Sequence, residues 1–386
     1  MSESKKFQFR QVATISVAHF MHDVYSAFLA PILPLLIEKF SLSYSLAGLL
    51  SVLQRIPSLF NPFIGILADR IAMRYLVILA PAVTATTMSL IGIAPTITMV
   101  SVLLITMGIS SAFFHVPAPV MIRKVSGHRI GSGMGWYMFG GEMARTLGPI
   151  IILGAVSWWG LEGTYRLIPF GWAVSVLLYF EFRKTRVSRD LKEKEKWTGI
   201  RGTLRNHLTL LIAITGFTFF RAVMKSALTY FLPTYMNLKG ETLWTGGISL
   251  SILELAGAAG TLLIGSFSDK MGRRTSLILL SILSPVFMLL FLFSGQILSF
   301  LFLILIGLVL FGSTPIILAL IQDQAKERPA FINSIYMTIS FFVTSLCVVA
   351  VGGLSDWLGM ELTFKIAAWI SFGAVPFAIY LKERRT

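Results

Sequence analysis

His19, His22 and Asp23 fall at i, i+3 and i+4, so a helix carrying them presents all three on one face. Two imidazoles beside a carboxylate are a set able to take up and release protons. Further along, Glu142 and Arg145 are three residues apart and Arg221 and Lys225 four apart, while Arg55, His115 and Glu254 each stand in apolar surroundings. Cations on successive turns of one helix face repel each other unless an anion separates them. The available counter-ions are Asp23, Glu142, Glu254 or a bound anion, and the four bases outnumber the three acids. This excess predicts a small organic anion as substrate, a phosphonate, phosphate ester or carboxylate, gripped by Arg55, Arg221 and Lys225, with His115 and Glu254 in the same binding set. Arginine suits a two-oxygen grip and lysine adds a point charge. Proton carriage is expected first at Asp23, then at Glu142 and Glu254, with His19, His22 and Arg145 in the coupling set. Burial favours the neutral carboxyl and a neighbouring cation favours the ionised one, which keeps such a group switchable. The same residues also permit a purely structural arrangement, with Glu142 paired to Arg145, Glu254 to Lys225 or Arg221, and Asp23 to Arg55.

The elements that must position these groups follow from composition. Of 386 residues, 55% are hydrophobic and 13% charged, and the mean hydropathy is +0.78. A soluble enzyme, a secreted disulfide scaffold and a disordered tail are excluded, because each needs far more polar surface. Apolar runs of about 20 residues, the length that crosses a bilayer core as helix, occur at roughly 11–37, 44–68, 75–94, 97–122, 131–156, 166–182, 207–235, 243–267, 275–294, 297–321, 331–355 and 363–381. The fold class expected is an all-α integral membrane protein of twelve transmembrane helices. Period-two alternation, the mark of a barrel, is missing. The first run is long and contains Pro31 and Pro34, so it is expected to stay as a helix and not be cleaved as a signal peptide.

The net charge of +15 would suggest nucleic acid on a soluble chain. Here 25 of the 33 basic residues lie in the leader, in alternate loops, in 183–206 and in the tail, and only Lys39, Arg166, Lys239 and Lys365 lie on the opposite side. By the positive-inside rule both termini are expected in the cytoplasm of a multi-pass inner or plasma membrane protein. The partners expected are therefore a small molecule, protons and lipid, with no nucleic acid. Cys347 is the single cysteine, so no disulfide framework or thiolate metal site is expected; His128 and His207 are expected at the interface.

The stretch 183–206 is long and polar, and divides the chain into bundles at 1–182 and 207–386. The halves repeat one another. Gly65-Ile-Leu-Ala-Asp69-Arg70-Ile-Ala72-Met-Arg74 recurs 200 residues later as Gly265-Ser-Phe-Ser-Asp269-Lys270-Met-Gly272-Arg273-Arg274, and Gly108 and Pro117 correspond to Gly307 and Pro315. This loop, once per half, resembles the signature of the major facilitator superfamily, with Ala72 where the turn glycine is usual. The resemblance covers the whole chain and implies two pseudo-symmetric six-helix bundles working by alternating access. It also implies gating roles for Gly65, Asp69, Arg70, Arg74, Asp269, Lys270, Arg273 and Arg274. In that fold helices 3, 6, 9 and 12 are scaffolding, and the corresponding runs here have no charge in their interiors.

His19-Phe-Met-His22-Asp23 with Pro34, Gly108-Ile-Ser-Ser-Ala-Phe-Phe-His115, Ser126-Gly127, Gly140-Gly141 and Leu147-Gly148-Pro149 resemble the fosmidomycin-resistance branch, which exports a small phosphonate drug by proton antiport. The departures are Val116-Pro117 where that branch has Pro-Glu, and Glu142 and Arg145 where it has uncharged residues. Gly135, Gly140, Gly141 and Gly148-Pro149 are expected to give close helix packing with a kink. The function expected is proton-coupled efflux of a small anionic or amphiphilic compound by a monomer. The alternative is an importer or exchanger of an organophosphate or carboxylate. Neither enzyme activity, nor a cofactor, nor a metal is expected, since no nucleotide-binding Gly-Lys-Ser/Thr loop stands on a cytoplasmic segment.

Overall fold

The computed structural model describes residues 6–61, 74–127, 129–183, 205, 207–324 and 329–381. Every regular element among them is helical. Backbone groups in hydrocarbon must be satisfied within their own segment, which leaves helices as the form an apolar chain of this kind takes. In order these are α1 (Phe9–Ser26), α2 (Leu29–Phe40), α3 (Tyr44–Leu53), a 3-10 turn at Ile56–Phe60, α4 (Arg74–Ser89), α5 (Ile97–His115), α6 (Ala118–Val125), α7 (Ile130–Trp159) and α8 (Ile168–Phe182). The second half contributes α9 (Leu208–Leu238), α10 (Leu243–Met271), α11 (Arg273–Phe293), α12 (Gln296–Phe311), α13 (Ser313–Gln324), α14 (Pro329–Leu358), α15 (Met360–Ser371) and α16 (Ala374–Tyr380). Among the described residues ten helices are long and apolar enough to cross a membrane. The helices opening at Tyr44 and Ile168 stand at the other two apolar runs, consistent with a twelve-span, all-α membrane protein.

Several runs that read as single helices are broken in two, and proline explains where. A proline has no N–H to give the carbonyl four residues back. Pro31, Pro315 and Pro376 thus leave the carbonyls of Ala27, Phe311 and Phe372 without that donor, and the chain breaks at 27–28, 312 and 372–373. Pro117 itself stands between α5 and α6. The first, fourth, tenth and twelfth runs are therefore helix pairs, and the first, tenth and twelfth each remain one spanning stretch, Phe9–Phe40, Ile297–Ile321 and Met360–Tyr380. Pro34, Pro81, Pro149, Pro233 and Pro285 are accommodated inside their helices.

The chain divides into two compact units, one comprising 1–41 and 50–194, the other 42–49 and 195–386. The first is built on α1 against α7, with α4 against α5 and α8. Its core includes Val12, Ile15, Ala18, Phe114, Met121, Tyr137 and Phe182. The second is built on α10 against α12 and α9 against α14, around Ile214, Phe217, Leu277, Ile316, Ile332 and Ala374. Large apolar side chains are left uncovered along these helices, Ile297 at 86% and Trp158 and Trp357 at 80% exposure, as suits side chains whose solvent is lipid.

The internal repeat extends into packing. A Cβ on Gly108 would lie 2.3 Å from the Gln54 carbonyl, and one on Gly307 would lie 2.5 Å from the Leu253 carbonyl. Both partners of the second contact are displaced by 199 residues from those of the first, so each unit uses the same glycine-against-backbone crossing. Such approach requires a residue without a side chain.

Candidate functional site

The first unit gathers His19, Asp23 and His115 from α1 and α5. His19 Nε2 lies 3.2 Å from one Asp23 oxygen and His115 Nε2 lies 3.3 Å from the other, and the three ligand atoms fall within 4.8 Å of one another. Asp23 is thus flanked by an imidazole on each oxygen. The His19 and Asp23 side chains are only 6% and 13% exposed, whereas His115 is 36% exposed. His115 is therefore the most exposed member of the three.

Packing holds this arrangement. His19 Nδ1 donates to the Tyr137 carbonyl at 2.7 Å, and its ring stacks on the Tyr137 ring with centroids 3.9 Å apart, an aromatic contact worth about 0.5–1.5 kcal/mol beyond burial. The close approach of α1 to α7 depends on Gly141, where a Cβ would stand 2.6 Å from His19 Cε1. Gly140 and Gly148 lie on the same seam against Ser16 and Ala27, but Gly135 meets nothing within 4 Å, a correction to its expected packing role. His115 Nδ1 donates to the Ser111 carbonyl at 3.0 Å, one turn back on α5. His22 is fully buried, stacked on Phe114 at 4.7 Å and edge-on to His115 at 5.3 Å. The expected shared face of α1 is present, but His22 turns to Phe114 while His19 takes Asp23.

Glu142 and Arg145 pair with each other along α7, the structural arrangement weighed from the sequence. Both remain partly exposed, at 24% and 46%. Arg55 is exposed at the break between α3 and the following turn.

In the second unit the helical spacing of Arg221 and Lys225 does not make one clamp. Arg221 is buried at 5% exposure. Its Nη1 donates to the Leu280 carbonyl and Ser284 Oγ, and its Nη2 to the Val309 and Leu310 carbonyls. The guanidinium also lies 5.4 Å from the Phe217 ring centre. Leu310 and Val309 belong to the last turn of α12, where carbonyls lack helical donors and a cation is favoured. Arg221 is thus engaged with the broken end of α12. Lys225 is half-buried with Nζ 4.8 Å from the Phe311 ring centre, and Glu254 is buried on α10.

Of the expected gating residues, Gly65, Asp69 and Arg70 lie outside the described residues. Asp269 and Lys270 occupy the last turn of α10, and Arg273 and Arg274 open α11. The intervening Gly272 has φ +90°, a left-handed conformation that accounts for glycine in this copy of the loop. Arg74 opens α4 and donates to the Tyr75 hydroxyl at 3.2 Å.

A twelve-span helical pattern, two units with a repeated crossing, and a titratable cluster on spanning helices together point to a transporter, and the comparisons decide the family. The model of the Major Facilitator Superfamily matches residues 15–347. The chain belongs to this superfamily. It is 26% identical over 389 residues to the fosmidomycin resistance protein of Escherichia coli (strain K12), covering 97% of this chain and 93% of that protein. To the uncharacterized MFS-type transporter YfnC of Bacillus subtilis (strain 168) it is 23% identical over 367 residues, covering 92% and 89%. A solved bacterial homolog of the human lysosomal transporter Spinster, in an inward-facing and unoccupied conformation, shares the fold at a TM-score of 0.80 and 15% identity, covering 98% and 97%. A D-xylose-proton symporter does so at 0.69 and 13%, covering 97% and 99%. As a major facilitator the chain is a multi-pass secondary active transporter of a small molecule and not an enzyme.

Tyr137 is absent from the sequence reading, and Ser111 enters it only within the Gly108–His115 run. Each holds its histidine through a backbone carbonyl, which every residue has, and Tyr137 adds its ring and Ser111 its hydroxyl from positions that helical spacing alone does not bring to the cluster. Gly141, one turn beyond Tyr137 and noted for close packing, is the nearest indirect sign.

Proposed function

We propose that this major facilitator exports a small anionic or amphiphilic compound in exchange for protons, by alternating access. The observation that carries the coupling is the flanking of Asp23 by His19 and His115. A buried carboxylate with an imidazole on each oxygen is a proton-binding site, and His115 is its most exposed member. The branch reading rests on the motifs around His19, Asp23, Gly108 and Gly140, and on full-length similarity to a relative named for fosmidomycin resistance.

Lys225 is the cation of the second unit assigned to substrate, with Glu254 in the same expected set. In the first unit Arg55 and His115 are assigned to substrate, and Glu142 with Arg145 serves as a paired charge near the coupling cluster. The basic residues of the leader, alternate loops and 183–206 support cytoplasmic termini by the positive-inside rule, with a single chain as the transporting unit.

Expression in drug-sensitive cells tests the export reading. Tolerance of fosmidomycin or another small phosphonate should rise with the wild-type protein and return to background with Lys225→Gln at equal membrane abundance. Greater sensitivity on expression would instead mean uptake and overturn it.

A further inference from the structure

We infer that the His19–Asp23–His115 cluster holds two protons at once, one on each imidazole–carboxylate contact. This rests on the reading above that the cluster is the coupling site, and it fixes how many protons that site takes.

The inference follows from what a carbonyl oxygen can do. It only accepts hydrogen bonds. His19 Nδ1 lies 2.7 Å from the Tyr137 carbonyl, and His115 Nδ1 lies 3.0 Å from the Ser111 carbonyl, nearer than the Ser111 hydroxyl at 3.2 Å; hydrogen on both Nδ1 atoms satisfies both carbonyls, with the hydroxyl accepting or turned away. A neutral imidazole has a single N–H, which would leave each Nε2 as a bare lone pair. These two Nε2 atoms stand 3.2 and 3.3 Å from opposite oxygens of one carboxylate. With no proton added, both contacts would set lone pair against lone pair. With one proton, one contact would still be repulsive. With two, each imidazolium donates to its own oxygen, and both contacts become charge-assisted hydrogen bonds.

Nothing else among the described residues takes that part. On α1 the neighbouring ionisable group is His22, which faces Phe114 and His115. On α7 the facing groups are Tyr137, stacked on His19, and Arg145, which pairs with Glu142 and whose charge also reaches His115, where it opposes a second cation that the Asp23 carboxylate favours. On α5 the Ser111 hydroxyl meets His115 Nδ1 and not Nε2.

The arrangement also links release to movement. His19 is fixed between the Tyr137 ring and carbonyl and Gly141, whereas His115 has the exposed side chain. Loss of the proton on the His115 contact to water replaces attraction by repulsion between α5 and α1, so an emptied site favours parting of these helices where a filled one holds them together.

Two measurements on the purified full-length protein test this. With 15N-labelled histidine, the signals assigned to His19 and His115 near neutral pH should both be doubly protonated imidazolium. In Asp23→Asn both should become neutral rings protonated on Nδ1. Proton release between pH 6 and pH 9 in weak buffer should fall by two in Asp23→Asn, although the residue removed is a carboxylate. A single imidazolium, an Nε2-protonated ring at either position, or a fall of one or none would overturn the inference. The wild-type spectrum decides even if the variant does not fold. Coupling is read separately by gradient-driven flux, so two protons bound without coupling would refute the proposed function and not this count.

Discussion

Arg221 and Lys225 share a helix and a spacing, yet their substitution should have opposite consequences. Arg221→Met keeps length and removes the four donations to Leu280, Ser284, Val309 and Leu310. The carbonyls of Val309 and Leu310 lie at the interrupted end of α12 and lose their capping cation. The Ser313 hydroxyl still donates to the Leu310 carbonyl at 3.3 Å, so the Val309 carbonyl is the acceptor that loses its donor, at about 1–3 kcal/mol, and relief from no longer burying a charge offsets part of that cost. For a unit of this size 1 kcal/mol moves the melting temperature by about 2–4 °C, giving a loss of roughly 2–12 °C. Melting of the detergent-purified protein, followed by tryptophan fluorescence, measures it, alongside transport by the fraction that remains folded. Lys225→Gln should leave the melting temperature within about 2 °C of wild type and weaken substrate binding about tenfold or more, the loss of one charge-assisted contact. An unchanged melting temperature in Arg221→Met with a tenfold loss of affinity would refute this division of roles.

Gly141→Ala should push the His19 ring from its place, since the new Cβ would meet Cε1 at 2.6 Å. Overpacking of this kind costs about 1–3 kcal/mol, and proton-driven flux should fall at least tenfold while the protein still elutes as a single species. Asp356 accepts from the backbone N–H groups of Tyr44 and Ser45 at 2.6 and 2.9 Å and from the Ser45 hydroxyl, capping the first turn of α3. Asp356→Asn should weaken this cap by about 1 kcal/mol, read as several-fold faster deuterium exchange in a peptide covering 42–49.

How much of this was legible in the sequence depends on the range of the interaction. The helices, their membrane setting and the two halves follow from local hydropathy and from the repeated loop, and Gly108 and Gly307 mark crossings that do exist. The proline breaks at 27–28, 312 and 372–373 were foreseeable from Pro31, Pro315 and Pro376, but hydropathy alone hides them because apolar character runs straight through. The α1 spacing brought His19 to Asp23 correctly. It could not bring His115, which arrives from another helix, nor the Tyr137 carbonyl, which has no residue signature. The same limit explains Arg221. Spacing fixes where a side chain leaves its helix, while a long flexible guanidinium goes to whichever acceptors the fold leaves unsatisfied.

The most direct test of the central claim is flux into proteoliposomes of known orientation, with membrane voltage clamped and a pH gradient of one unit imposed. Fosmidomycin serves as the trial substrate, with a panel of small phosphonates and carboxylates beside it. The wild-type protein should drive substrate against its concentration gradient, in the direction opposite to proton flow, and Asp23→Asn should only equilibrate it. Accumulation by Asp23→Asn equal to wild type, or wild-type flux indifferent to the gradient, would contradict proton coupling at this cluster.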